Sequence, residues 1–423
     1  MRRIVFAAAL SVAGTNAALA DEWVVEAHYP DHAALARAAS QFQHVIVDDK
    51  RGVLRVTTDE HGIDVLRDAG LDISIDTAGT AKLRSFEMAM SQAEIAGHGI
   101  DSIPGFQCYR TVEETYQTMD DMVAAHPDIV TIDNIGPTWK KTQNAAQGYD
   151  MRALRITNLA TASSDPARPR MVVFSSIHAR EYAPAEVDTR FAEWLVNGYG
   201  SDPEATWLVD HNDFRLVLQA NPDGRKQAEQ QIYWRKNDDQ ISGNCDGNPN
   251  AETNNDGVDL NRNFPFHWAI VPNQGGSSTS VCNQTYRGPL KSSEPETQNL
   301  VQYVAGTCAS DGSCVGGVFA DRRAGPMNPS TTSGDGGAAA PADTTGFFVD
   351  IHSNAALVLW SWGDTSSAAP NQVALRTLGR RIAYFNGYKP EQADTLYPTD
   401  GTTDDTFYGL LGVPGFTIET DGS

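Results

Sequence analysis

The sequence predicts an α/β protein: a mixed, largely parallel sheet flanked by helices, preceded by a small α/β unit. Three observations carry that expectation. From about Tyr109 onward, apolar runs of strand length alternate with stretches of helical spacing. Several of those runs end in polar residues, at His178, Asn221, His352 and Glu419. In open α/β sheets a site lies outside the carboxyl ends of the strands. The chain also has 423 residues, 40% hydrophobic and 20% charged, which suffices for one large domain plus a small one.

Residues 1–20 read as a secretory signal. Arg2 and Arg3 supply the positive end, Ile4 to Val12 a short apolar core, and Ala18-Leu19-Ala20 a small-x-small cleavage site. The arginines match a twin-arginine signal poorly, so general secretion is expected. Residues 21–100 form the expected pro-segment and linker. Glu22 to His28, Val45 to Val47 and Val53 to Thr57 have strand character, and Asp31 to Ala39 and Gly62 to Ala69 carry apolar faces at helical spacing. The polar stretch 81–105 reads as a linker, with cleavage expected between Lys82 and His98.

The large domain is expected over 104–423. Val112 to Ala125 reads as a helix ending before Pro127, Arg170 to Ile177 as a buried strand, and Ala185 to Asn197 as a helix. Phe214 to Ala220 reads as a strand closed by the turn Asn221-Pro222-Asp223-Gly224. Ser293 and Glu296 have capping-box spacing before the helix Thr297 to Val304. Gly346 to Ile351, Leu357 to Trp362 and Phe416 to Glu419 read as strands, with the helix Gln372 to Phe385 among them. Residues 323–345, rich in small residues, read as a flexible insertion.

The net charge, −22, argues against nucleic acid or an anionic membrane as a partner. In an exported protein the five cysteines are expected as disulfides. Cys308 and Cys314 bracket a short loop that a local bridge would close. Cys245 and Cys282 could staple a long loop, leaving Cys108 unpaired. No spacing fits a thiolate zinc site.

The chemistry concentrates first at His178 and Glu181. An apolar run ends in a histidine and a carboxylate follows three positions later, two of the three protein ligands a catalytic zinc needs. Alone, H-x-x-E is common. It is joined in order by Asn221-Pro-Asp-Gly224, Tyr233-Trp-Arg-Lys236, Gly257-Val-Asp-Leu-Asn-Arg-Asn-Phe264, Cys282-Asn-Gln-Thr-Tyr-Arg-Gly288, Asp350-Ile-His-Ser353 and Thr417-Ile-Glu419. From Tyr109 to the end, this ordered set resembles zinc metallocarboxypeptidases of the A/B type (the M14 peptidases), nearer their secreted bacterial branch.

The resemblance implies one zinc per chain, held by His178, Glu181 and His352, with Glu419 as general base and Arg235 on the oxyanion. It implies that Asn261 and Arg262 hold the terminal carboxylate of a peptide or protein substrate, where a guanidinium fork fits bidentately. Asp259 would orient His178, and Arg180 would reach the next substrate residue upstream. It assigns a mobile tyrosine to Tyr397, with Tyr408 as rival. It places Asp404 at the base of the specificity pocket, favouring C-terminal Lys or Arg, although a one-residue shift would exchange it with Asp405. It supports a Cys245–Cys282 bridge, a monomer and a secreted zymogen.

Asp246, Asn248, Asn250, Asn255 and Asp256 form an oxygen-rich loop that either binds Ca2+, as secreted relatives often do, or is merely solvated. Asn354 departs from the tyrosine of the pancreatic enzymes, which implies a different upstream subsite. The family continues beyond the residue matching Glu419 with a C-terminal helix, so the domain is expected to be truncated at Ser423. Two alternatives accompany this reading: the same zinc centre acting on peptidoglycan stem peptides, and a non-catalytic peptide-binding homologue. The latter would be expected to lack Glu419, Arg235 or a zinc ligand, and none is lacking.

Overall fold

A computed structural model describes residues 23–421, apart from 40, 43–44, 49, 82–83, 85–101, 107, 163–167, 241–244, 246–255, 272–275, 311, 324–338 and 396. The signal-like segment 1–20, most of the linker and most of the insertion at 323–345 lie outside the described residues.

The N-terminal unit holds a four-stranded antiparallel sheet with helices packed on it. Its strands are β1 (Trp23–His28), β2 (Val45–Asp48), β3 (Val53–Thr58) and β4 (Asp72–Ile75), in the order β2-β3-β1-β4. The helices α1 (His32–Ala39) and α2 (Glu60–Asp68) bury Leu35, Ile63 and Leu66 against Val25, Leu54 and Val56. Asp59 caps α2 by accepting from the Gly62 amide. β4 escaped the sequence reading because its residues Asp72-Ile-Ser-Ile75 pack little, as befits a short edge strand.

The large domain is built on an eight-stranded mixed sheet. Its members are β5 (Val130–Pro137), β6 (Asp150–Ile156), β7 (Arg170–Ser175), β8 (Asp213–Val217), β11 (Phe347–Ser353), β12 (Leu357–Trp360), β13 (Lys389–Gln392) and β14 (Gly415–Thr420). The order is β13-β12-β14-β11-β7-β8-β6-β5, with a parallel centre running from β14 through β11 and β7 to β8. A small hairpin of β9 (Gly306–Cys308) and β10 (Cys314–Gly316) is closed by Cys308–Cys314. Cys245 and Cys282 form the second disulfide and Cys108 is free.

Helices cover both sheet faces, as strand periodicity demands. Val173 and Val349 point to α3 (Val112–Ala125), α4 (Tyr182–Gly198) and α5 (Pro203–His211). Val172, Phe174 and Phe348 point to α7 (Pro295–Val304), α8 (Gln372–Asn386) and α9 (Thr403–Leu411). α3 begins with a capping box between Thr111 and Glu114.

Two expectations need correction. Asn221 does not close a strand: it caps α6 (Pro222–Ala228), accepting from the Gly224 amide while its own amide holds the Ile177 and Lys236 carbonyls. Ser293 and Glu296 form no capping box. Glu294 occupies the cap, Ser293 donates to Glu294 Oε1, and the Glu296 carboxyl is drawn to the Trp139 amide at 2.6 Å.

Candidate active site

Three strand ends converge. β7 stops at Ser175, Ser176 takes left-handed backbone (φ 59°), and the turn that follows carries His178 and then Glu181 at the cap of α4. β11 carries His352, whose neighbour Ile351 pairs with Ser175. His352 itself pairs with Glu419 of β14. His178 Nδ1 lies 2.7 Å from Glu181 Oε1 and 3.0 Å from His352 Nδ1, and His352 Nδ1 lies 3.2 Å from Glu181 Oε2. All three side chains are buried. Among the described residues no other group of three His, Cys, Asp or Glu converges in this way.

The far side of each imidazole fixes what the near side offers. Asp259 Oδ1 lies 3.3 Å from His178 Nε2, and Asp350 Oδ2 lies 3.1 Å from His352 Nε2. A carboxylate at Nε2 keeps the ring proton there and leaves Nδ1 as a lone pair. Two lone pairs and a carboxylate then face one point without a proton donor among them, an arrangement that calls for a cation. With no cation at that point, the carboxylates favour a proton on the cluster in its place. Burial disfavours charge on Glu181, yet the two imidazoles outweigh it and hold its carboxyl well below the ordinary range. Burial likewise opposes charge on His352, but Asp350 and Glu181 raise it well above an ordinary histidine. Burial and then Arg235 lower His178. Two nitrogens and one carboxylate suit a catalytic zinc, which keeps a fourth position open.

Around this group lies a cavity lined by Glu419, Arg235, Asn261, Arg262, Tyr397 and Asp404 together with His178, Glu181 and His352. Glu419 is half-buried, and its Oε2, shielded from solvent, has no hydrogen-bond partner among the described residues. Burial raises it to about 7, against the pull of His352 and Arg235. Arg235 donates through Nε and Nη2 to Asp259 Oδ2 (3.0 and 2.8 Å), turning its Nη1 edge toward Glu181 Oε1 at 3.9 Å. Burial opposes charge on Asp259, but Arg235 and His178 hold it far below the ordinary carboxylate range. Asn261 takes the Thr403 amide on Oδ1 at 2.9 Å, and Arg262 is clamped by the carbonyls of Gly276 and Asn261.

The remaining sequence-based expectations separate here. Tyr397 lines the cavity, whereas its rival Tyr408 is buried in the core with its hydroxyl bonded to Asn371. Asp404 lines the cavity and takes the Thr402 hydroxyl and the Asp405 amide on Oδ1. Asp405 instead accepts from the Gly363 amide. The Arg180 guanidinium is buried over the Tyr233 ring at 4.0 Å, with no hydrogen-bond partner among the described residues. Of the oxygen-rich loop only Asp256 is described, and nothing supports calcium there.

Residues 115–315 match the family model described as zinc carboxypeptidase. The chain is 28% identical over 323 residues to carboxypeptidase A1 of Rattus norvegicus, covering 74% of this chain and 62% of that protein. It is 27% identical over 327 residues to a zinc carboxypeptidase of Saccharothrix mutabilis subsp. capreolus, with the same coverage. Residues 115–315 thus carry a zinc carboxypeptidase domain. A carboxypeptidase A from Helicoverpa armigera shares its fold, with a TM-score of 0.66 at 20% identity over 95% of this chain and 88% of that one. The chain spans 62% of the length of the first curated relatives it matches.

Two contributors to this site escaped the sequence reading. Asp350 was legible in principle, because residues two apart on a strand share a face and Asp350 therefore stands beside His352. Val45 was not: it belongs to β2 of the N-terminal unit, yet it lines the same cavity, and Tyr397 packs against that unit's core. No local pattern announces a contact across so much intervening sequence.

Proposed function

We propose that this chain is a secreted zinc-dependent carboxypeptidase that hydrolyses the last peptide bond of a substrate, with preference for C-terminal Lys or Arg. The convergence of two imidazole Nδ1 atoms and one carboxylate beside Glu419 carries the reading. Held by His178, Glu181 and His352, zinc would supply a Lewis acid that acidifies a water and polarises the scissile carbonyl. Glu419, poised near neutrality with one free carboxylate oxygen, takes the proton of the attacking water and returns it to the leaving amine. Arg235, braced by Asp259, faces the developing oxyanion. Asn261 and Arg262 receive the terminal carboxylate, which restricts cutting to the chain end. Asp404 answers a basic side chain in the pocket, and Arg180 contacts the substrate upstream. The N-terminal unit, with Val45 in the cavity, covers the cleft until the linker is cut.

The test is release of C-terminal Lys, Arg, Phe and Leu from blocked dipeptides by processed protein, with and without a zinc chelator. Chelator-sensitive release of Lys and Arg ahead of Phe and Leu is expected. Glu419→Gln should retain zinc and lose turnover by roughly 10²–10⁴-fold. No release of any of the four sinks the carboxypeptidase reading, whereas release led by Phe or Leu sinks only the role of Asp404.

A further inference from the structure

The net charge of −22 conceals one region of opposite sign. α8 carries Arg376, Arg380 and Arg381 and no Asp or Glu. Among the described residues none of these guanidiniums is paired with a carboxylate. The helix is anchored on one side only. Leu375, Gly379 and Ala383, four residues apart, are buried, with Gly379 packed against the Trp360 ring. The other side exposes large apolar residues: Val373 at 70%, Leu378 at 40%, Tyr384 at 82% and Phe385 at 78%. At 3.6 residues per turn these four fall within an arc of about 140°, with Arg381 inside it and Arg376 and Arg380 along one margin. Single exposed apolar residues are ordinary, but two adjacent aromatics and two aliphatics on one arginine-bearing face are not.

We propose that the outer face of α8 docks onto a lipid bilayer bearing anionic headgroups. An apolar stripe bearing and flanked by cations is the pattern of a helix that lies in the membrane interface. Tyr384 and Phe385 project to the depth of the headgroups, while the arginine stems lie along the apolar layer with their heads in the phosphates. The acidic remainder of the molecule does not forbid this. At physiological ionic strength charges beyond about 8 Å are screened, so the local patch governs contact. The proposal departs from the expectation drawn from net charge. It does not rest on the catalytic reading, because α8 contributes none of the residues that line the cavity.

The test is co-sedimentation of the full chain with vesicles of phosphatidylcholine alone or mixed with phosphatidylglycerol, alongside soluble polyglutamate as a competitor. Residues 1–20 carry an apolar run of their own, so the comparison is between full chains that differ only on α8. Partitioning onto the mixed vesicles is expected to exceed that onto phosphatidylcholine and to fall as salt rises. It should drop roughly fivefold for each of Arg376→Gln, Arg380→Gln and Arg381→Gln. The pair Tyr384→Ser with Phe385→Ser should weaken binding on mixed vesicles even at low salt. Equal binding of wild type and the triple arginine variant overturns the proposal. So does binding that polyglutamate abolishes while the aromatic pair leaves it unchanged, which would mark an acidic polypeptide as the partner.

Discussion

The N-terminal unit and the carboxyl ends of the eight-stranded sheet bury opposite kinds of residue. The first interior is apolar: Val25, Leu35, Leu54, Ile63 and Leu66 fill it, and among the described residues of 23–81 the only buried polar side chains are Thr58 and Thr80. The second buries His178, Glu181, Arg235, Asp259, Asp350 and His352 within one network. Carboxylates respond accordingly. At the surface of the small unit, Arg51 lowers Glu26, and the Gly79 amide with Arg55 lowers Asp76. In the large domain burial dominates and pushes Asp188 to about 7 and Glu296 to about 8. An apolar interior depends on area removed from water, whereas a charged interior depends on every charge keeping its partner. The two regions should therefore fail under different insults.

The largest expected difference is in pH response. Asp188 is buried on the inner side of α4 and, among the described residues, meets only the Ser175 hydroxyl, so its folded pKa stands above the 3.8 of an exposed aspartate. A raised carboxyl contributes stability below pH 3.8 that is lost as pH rises through about 7. The displacement of about three units corresponds to about 4 kcal/mol. Asp188→Asn should match wild type at acid pH and gain on it progressively toward neutrality, measured by denaturant unfolding across the window. The small unit should show the opposite sign, because its lowered carboxylates lose stability as pH falls. A variant that tracks wild type at every pH would show that water reaches Asp188.

Next in size is a purely apolar lesion. Leu54→Ala in β3 removes a fully buried side chain from the small unit at a cost of about 3 kcal/mol. Zinc affinity should not change, since the ligands stand on the other sheet. If the unit covers the cleft through Val45, the unprocessed variant should hydrolyse blocked dipeptides faster than unprocessed wild type. Hydrogen exchange would verify that β1 to β3 have loosened. Loosened strands with no gain in rate would break the proposed covering role.

The two regions were not equally legible. β1 and β3 appear in the sequence within a residue of their observed ends, because their apolar patterning has no competitor. The proposed ligands His178, Glu181 and His352, and the proposed base Glu419, were legible because they stand in recognisable local motifs. Residues answering to distant partners were not. Glu296 has capping spacing, yet its carboxyl serves the Trp139 amide, a contact only the packed helix creates. Val45 reads as one more strand valine until the small unit is set against the cleft. Asp350 lies between these cases: its face was fixed by strand period, but its role depends on where the His352 ring turns.

Asp350 also supplies the smallest and most discriminating test. The two imidazoles are held by carboxylates of different connectivity. Asp259 serves His178 and also grips Arg235, whereas Asp350 serves His352 and, among the described residues, accepts only the Thr403 hydroxyl besides, at 2.7 Å. Asp350→Ala should free the His352 ring to carry its proton on Nδ1, weakening zinc by roughly 10–100-fold while leaving the oxyanion arm intact. Saturating zinc should then restore turnover. Asp259→Ala should weaken zinc comparably but remain slow when saturated, because Arg235 has lost its brace. Asp350→Asn, whose amide oxygen can still accept from Nε2, should recover part of the lost affinity. Zinc competition against a chelator, followed by kcat at saturating metal, separates the two carboxylates. If excess zinc rescues both alanine variants equally, Asp259 does nothing for Arg235 that bulk solvent cannot, and the site's two halves are equivalent after all.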